Sequence, residues 1–276
     1  MPRIGIATCL NLPEPDVDQD LVVSQFTAAG LNPVLAAWDD GSVEWSQFDA
    51  VVIRSTWDYP ERPAAFQEWV AATGQVTQLL NPASIVIPNI NKNYLFELQE
   101  RGISIVPTAI IDGTLSALQN IDANRIVIKP AIGAGSYLTA FFDRTDVPAM
   151  LEHIAEIEKL GIDALAQPFM ESVPQGGERS LVWIDGEFTH KIVKQPRFIG
   201  ENESVSKAVP IENAELTAGQ RVMDTVFDSP LYARVDLIEE NGEFLLNELE
   251  LIEPSLFFLQ NTNALDRLIE GVKRSL

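Results

Sequence analysis

Segment 232–257, Y-A-R-V-D-L-I-E-E-N-G-E-F-L-L-N-E-L-E-L-I-E-P-S-L-F, constrains this chain more than any other stretch. Asn241-Gly242 suits the positive φ angles of a type I′ turn, so the flanking runs are expected to pair as a hairpin. Side chains alternate along a strand. Tyr232, Arg234, Asp236 and Ile238 should share one face of the first strand, and Phe244, Leu246, Glu248 and Glu250 one face of the second. Pairing then gathers Asp236, Glu248 and Glu250 in an apolar setting of Val235, Leu237, Leu245, Leu249, Leu251 and Ile252. Crowded carboxylates repel one another and lose hydration unless a cation neutralises them. Hard oxygen ligands on rigid strands suit Mg²⁺ that keeps some waters and is shared with phosphates. From the hairpin alone, a metal site and an exposed acidic hairpin stay equally open.

Composition narrows the remaining choices. The chain has 276 residues, 46% of them hydrophobic, enough to build one large core or two to three smaller ones. Asp+Glu number 40 against 19 Lys+Arg, a net charge of -21. That field disfavours nucleic acid and anionic membranes as partners. An anionic small ligand remains admissible, because salt screens charge beyond about 8 Å, but its site must be built locally. Cys9 is the single cysteine, which rules out an intrachain disulfide or a multi-cysteine metal site, and His153 and His190 are too few for a histidine-rich zinc site. Met1-Pro2-Arg3 runs straight into a strand-like segment, so no signal peptide is read, and no apolar run approaches the roughly 20 residues of a membrane span. The expectation is a cytoplasmic protein.

Strand and helix alternate over residues 1–88, which implies βαβ units and a parallel sheet. Strands are expected at 4–10, 32–38, 50–55 and 77–80, with helices at 17–29, where Asp18 could cap, and 64–73. Ligands sit beyond the carboxyl ends of such strands. One loop there, Arg54-Ser55-Thr56-Trp57-Asp58-Tyr59, offers a cation, hydroxyls and aromatics; it reads as a substrate pocket or as interface packing with Arg54 paired to Asp58.

Farther on, a helix is expected at 91–101 with Lys92 in its first turn, then a strand at 103–111. Strand 125–130 places Lys129 near its end, and A-I-G-A-G-S-Y follows. Backbone N–H groups around Gly133, Ala134, Gly135 and Ser136 can form an anion-binding nest. A strand is expected after this loop rather than a helix, which argues against a Walker-type loop and a Rossmann fingerprint. Pro168 should make strand 164–170 an edge or hinge. Asp185-Gly186 predicts a second hairpin carrying His190 and Lys194 on one side. Segment 196–209 reads as a mobile loop with Arg197 and Lys207, helices are expected at 147–159 and 215–227, and a closing helix at 256–272.

With Lys92, V-I-K-P at 127–130, the G-A-G-S loop, Q-P-F-M at 167–170, Gly177-Glu178 and R-V-D…N-E-L-E in that order, the chain resembles the ATP-grasp superfamily. The resemblance covers about residues 89–276 and is closest to the glutathione-synthetase-like and D-alanine–D-alanine-ligase-like branch. T-C-L, W-D-D and R-S-T-W-D-Y in the amino-terminal part suggest a subgroup related to the cycloserine-forming ligase. It implies an α/β fold: a preceding αβ domain (1–88), then an ATP-grasp domain with a small lid-bearing part (89–165) and a larger part (166–276). It implies ATP and Mg²⁺, two ions with Mn²⁺ as an alternative. Lys92 and Lys129 would contact phosphates under the Gly133–Ser136 flap. Gln167, Phe169 and Met170 would line adenine, and Glu178 would bind ribose. Asp236, Glu248 and Glu250 would hold metal, although many relatives carry asparagine at the last position. Arg234 would contact phosphate or the tetrahedral centre, making Arg234 and Lys129 the catalytic pair. Arg54, Trp57, Tyr59, Lys194 and Arg197 are the substrate candidates.

The function expected is a ligase joining a small carboxylate to an amine through an acyl phosphate. A kinase of the same fold and a nucleotide sensor are the rivals. The expected partner is a small molecule, with a homodimer admitted.

Overall fold

The structure is a computed structural model of the chain and describes residues 1–195 and 204–276. Its amino-terminal part is the expected parallel sheet. It runs β1 (Arg3–Thr8), α1 (Gln19–Ala28), β2 (Asn32–Ala37), β3 (Ala50–Ser55), α2 (Pro63–Val76) and β4 (Gln78–Leu80), with strand order β2-β1-β3-β4. Trp38, Tyr59, Phe66 and Trp69 pack one face of this sheet.

Two helices follow, α3 (Ala83–Asn89) and α4 (Tyr94–Glu100). Asn91 folds an Asx turn by accepting from the Asn93 N–H at 2.9 Å, so Lys92 sits before α4 and not in its first turn. The strand expected at 103–111 is mostly not one. Ile105 and Val106 run beside Leu246 as an isolated bridge, Pro107 interrupts, and only Ala109–Ile111 forms β5. Proline has no N–H to extend a ladder.

Next come β6 (Arg125–Pro130), β7 (Ala140–Asp143), α5 (Val147–Glu158) and β8 (Ala164–Pro168), giving a second sheet of order β5-β8-β6-β7. β8 therefore lies inside its sheet and not at the edge. Its neighbour β5 reaches only Ala166, which leaves Gln167 and Pro168 uncovered on that side. The division expected at 165/166 runs through this strand.

The third sheet has order β10-β9-β11-β12 and is antiparallel. After the short helix α6 (Val173–Gly176) come β9 (Glu178–Ile184) and β10 (Glu187–Lys194), then α7 (Asn213–Met223), β11 (Tyr232–Glu240) and β12 (Glu243–Glu250). Both predicted hairpin turns form, with Asp185, Gly186, Asn241 and Gly242 all at positive φ. Described residues 204–209 are not detached: Val205 and Val209 bridge to Lys194 and Lys191.

The closing helix α8 spans Thr262–Ser275, later than expected. Leu256, Phe257 and Phe258 are buried instead in irregular chain. The Asp18 carboxylate accepts from the Phe258 and Leu259 N–H groups, both at 3.0 Å, so it holds this segment and does not cap α1.

One apolar cluster fuses the first and third sheets: Ile4, Ile6, Val22 and Phe26 pack with Val182, Ile184, Tyr232, Leu256 and α8. The Tyr232 hydroxyl lies 2.9–3.1 Å from the carbonyls of Ile53, Leu80 and Ile252. Asn81 donates to Tyr232 and Leu251 carbonyls across the same seam. The second sheet keeps its own core of Ile126, Ile128, Met150, Ile154 and Leu165.

Candidate active site

A cleft of about 470 Å³ opens where the three sheets meet. β11 and β12 supply its floor. Their register sets Arg234 opposite Glu250 and Asp236 opposite Glu248, so these four side chains share one face. The regular alternation expected along β12 breaks between Glu248 and Leu246. A bulge at Asn247 sends Leu246 into the core and Asn247 into the cleft, where its amide donates to Glu178 at 2.6 Å.

Each floor carboxylate is met by a cation. Asp236, 1% exposed, accepts from Arg234 Nε at 2.9 Å, Lys194 Nζ at 2.9 Å and Ser180 Oγ at 2.6 Å. Burial opposes its charge, but Arg234 and Lys194 prevail and hold it below the usual carboxylate range. Glu248 pairs with Lys129 at 2.8 Å and Lys92 at 3.6 Å; these cations outweigh burial and set it at about 2. Glu250 pairs with Arg234, yet burial, reinforced by Asp236, lifts it to about 7. Lys194 reaches Glu178 as well, at 2.5 Å, and burial still pushes Glu178 upward. The acids thus stand ready on one face with charge supplied from within the protein. Among the described residues no three His, Cys, Asp or Glu side chains already form a metal cage.

The roof is the β6–β7 loop. Gly135 (φ +56) and Ser136 (φ 62) curl it tightly, and Lys92 Nζ donates to the Gly133 carbonyl at 2.7 Å. Lys129 leaves the end of β6 beneath it, 6% exposed. Gly133, Ala134, Gly135 and Ser136 all line the cleft. At one side lie Gln167, Phe169 and Met170. Gln167 donates to Thr108 Oγ1 at 2.9 Å, and the Arg125 guanidinium covers Phe169 at 3.9 Å. Gly177, at φ +71, must be glycine: a Cβ would meet Val193 Cγ1 at 2.3 Å. It delivers the chain to Glu178.

The substrate candidates divide. Trp57, Tyr59 and Lys194 line the cleft, and Arg54 does not. Arg54 is 2% exposed, stacks on Phe258 and lies 3.7 and 3.9 Å from Asp16 and Asp18, whereas Asp58 pairs with Arg62. Arg197 lies outside the described residues. His190 is buried away from the cleft, and that burial lowers it to about 4. Burial, then Asp58, raises the Cys9 thiol to about 12, so it is no nucleophile.

Glu253 was not anticipated. It is 7% exposed, lines the cleft, and burial followed by the charge of Glu250 raises it to about 8. Its signal in the sequence is a lone acid in the apolar run L-I-E-P-S-L-F-F. Asn247 carried a signal too, a polar residue on the face expected to be apolar.

Comparison with known proteins places this geometry in context. Residues 4–81 match the family model of the D-cycloserine synthetase DcsG amino-terminal domain. Over 262 residues the chain is 29% identical to the cycloserine biosynthesis protein DcsG of Streptomyces lavendulae, covering 87% of this chain and 88% of that one. It superposes on the crystal structure of D-cycloserine synthetase DcsG with a TM-score of 0.89 at 26% identity, over 99% and 100% of the two chains. A RimK domain ATP-grasp protein from Sphaerobacter thermophilus gives 0.71 at 14% identity over 98% of both, a likeness of fold.

Proposed function

The chain belongs to the ATP-grasp superfamily, and from that premise we propose that it is an ATP-dependent carboxylate–amine ligase acting on a small, amino-acid-like carboxylate. One observation carries the reading. Phosphate-suited cations, Lys129 from the second sheet and Lys92 from the turn before α4, face a single cleft with the metal-suited acids Asp236, Glu248 and Glu250 of the third sheet.

ATP is the co-substrate. Its adenine lies against Gln167, Phe169 and Met170, its ribose at Glu178, and its phosphates under the Gly133–Ser136 loop. The donor set, three carboxylates on adjacent rigid strands, fits Mg²⁺, and Asp236, Glu248 and Glu250 would hold it, as two ions or with Mn²⁺ substituting. The bound metal would neutralise phosphate charge during transfer. Lys129 and Lys92 exchange Glu248 for phosphate oxygens. Arg234, fixed by Asp236 and Glu250, meets the charge that develops on the substrate carbonyl. A substrate carboxylate oxygen attacks the γ-phosphorus and the bond to ADP breaks. An amine then attacks the carbonyl carbon and sheds a proton, and the C–O bond to phosphate breaks. Catalysis is positioning and electrostatics, with no nucleophilic side chain. Trp57, Tyr59 and Lys194 surround the substrate, and Arg54 acts through the backbone it holds.

The likeness to D-cycloserine synthetase favours a second version of the same chemistry, in which amine and carboxylate belong to one molecule and close a ring. Label decides the matter. Substrate carrying ¹⁸O in its carboxylate should deliver label to inorganic phosphate, with two substrates in the first version and one in the second. Label retained in a phosphorylated organic product would mean a kinase and refute the ligase.

A further inference from the structure

Of the three residues placed against adenine, Gln167 alone has a polar side chain. It is 4% exposed and lines the cleft. A primary amide is two-faced: its NH₂ donates, its oxygen accepts, and a half-turn of the side chain exchanges them. A chain of hydrogen bonds removes that freedom here. Gln167 Nε2 donates to Thr108 Oγ1 at 2.9 Å, and Thr108 Oγ1 donates to the Val106 carbonyl at 2.7 Å. A hydroxyl carries one proton. With that proton spent on Val106, Thr108 can only accept from Gln167, so the NH₂ must face Thr108. Gln167 Oε1 is turned the other way and has no hydrogen-bond partner among the described residues. It is the group that this wall offers to a bound base.

The relay is anchored at both ends. The register of β5 with β8 closes at Ala109 opposite Ala166, so Thr108 falls beside Gln167 just past the ladder. Val106 is tied to β12, its N–H donating to the Leu246 carbonyl at 2.9 Å. On the other side Gln167 stands opposite Val127 of β6, whose apolar side chain offers the amide no competing partner. A fixed acceptor discriminates between purines. Adenine presents an amino donor at C6, whereas guanine and hypoxanthine present a carbonyl acceptor there. Two acceptors facing each other both go unpaired, and a site built around one buried polar group rejects the analogue that cannot pair with it.

We propose that Thr108 is a positioning residue for nucleotide selectivity: by taking the NH₂ of Gln167 it aims Oε1 at the C6 substituent of the base, so that 6-aminopurine nucleotides are accepted and 6-oxopurine nucleotides are turned away. This rests on the placing of adenine against Gln167 in the ligase reading and deepens it. Thr108 does not itself line the cleft, so it acts through the amide it holds.

The test is calorimetry with the Mg²⁺ complexes of ADP and inosine diphosphate in wild type, Thr108→Val and Thr108→Ser. Wild type should bind ADP about ten- to a hundredfold more tightly than inosine diphosphate. Thr108→Val removes the hydroxyl at nearly constant shape and frees the amide to turn. ADP should then bind more weakly, inosine diphosphate more tightly, and their ratio should fall about tenfold or more. Thr108→Ser keeps the hydroxyl and should keep the ratio. In turnover the same change should appear between the KM values for ATP and inosine triphosphate, and not in the KM for the carboxylate substrate. Should Thr108→Val fail to fold, Thr108→Ala reads the same ratio. A loss that strikes both nucleotides equally would reduce Thr108 to a structural support and overturn the proposal. A wild type that does not distinguish the two nucleotides would overturn it as well, leaving the ligase intact. Binding of neither nucleotide to wild type would overturn the ligase reading itself.

Discussion

Replacing Lys129 by methionine separates two jobs of one side chain. Lys129 Nζ stands 2.8 Å from Glu248 Oε1. At an effective dielectric near 20, unit charges so placed attract by roughly 6 kcal/mol. Burying both ions takes back most of this, and orphaning one partner of a buried pair costs about 3–5 kcal/mol. Lys92, 3.6 Å from the same carboxylate, remains as a second cation. The expected loss of stability is therefore smaller, about 1–3 kcal/mol. Adding Glu248→Gln to Lys129→Met should recover part of it, with a coupling of about 1–2 kcal/mol in urea denaturation. Nucleotide affinity should not recover. Loss of a charge-assisted phosphate contact raises the Kd for Mg-ATP about ten- to a hundredfold, in the single and the double variant alike. Calorimetry with a non-hydrolysable ATP analogue reads this directly. An unchanged Kd in Lys129→Met refutes the phosphate role, and zero coupling refutes the ion pair.

Asp236→Asn and Glu248→Gln should abolish turnover, while Glu250→Gln keeps some, since an amide oxygen can still ligate; full activity of Asp236→Asn at ordinary Mg²⁺ would dismiss the floor as the metal site. Arg54→Ala should raise the KM for the carboxylate substrate far more than that for ATP, because Arg54 reaches the cleft only through Pro254; equal effects on both would return it to plain packing. Stability should depend on pH through Glu253. Its folded value, about 8, lies above its ordinary 4.5, so the folded chain holds a proton the unfolded chain has lost, and this contribution fades as pH rises through that window. Urea midpoints of Glu253→Gln and wild type should converge near pH 4.5 and part near pH 8 in favour of the variant; a gap constant with pH would contradict the burial of this charge.

What the sequence disclosed, and what it hid, follows from the range of the interactions involved. The hairpins at Asp185-Gly186 and Asn241-Gly242 were legible because a two-residue turn announces itself in its own chemistry. The parallel sheet was legible from its alternating strands and helices, and the ATP-grasp fold from the order of short motifs. The bulge at Asn247 was not, because alternation assumes one residue opposite one. Pro168 looked like an edge because a proline does not disclose where the neighbouring strand ends. Segment 256–261 looked helical because nothing nearby forbids it; the Asp18 carboxylate that holds its amides is about 240 positions away in the chain. Glu253 was hidden for the same reason, since an acid looks ordinary until the walls around it are known.

The seam between the first and third sheets carries one more consequence. Tyr232, Asn81 and Asp18 stitch those sheets through a common interior, whereas the second sheet has a core of its own, and its roof loop meets the first sheet's core only through the partly buried Ile132 and Ala134. The cleft is thus a vice with one jaw bolted down. On the proposed assignment, any tightening would come from the jaw that carries Lys129 and the roof loop, closing onto the wall proposed to seat the other substrate. Selectivity for that substrate then resides in the immovable jaw, and a variant that loosens the moving one should change how fast the enzyme works before it changes what the enzyme accepts.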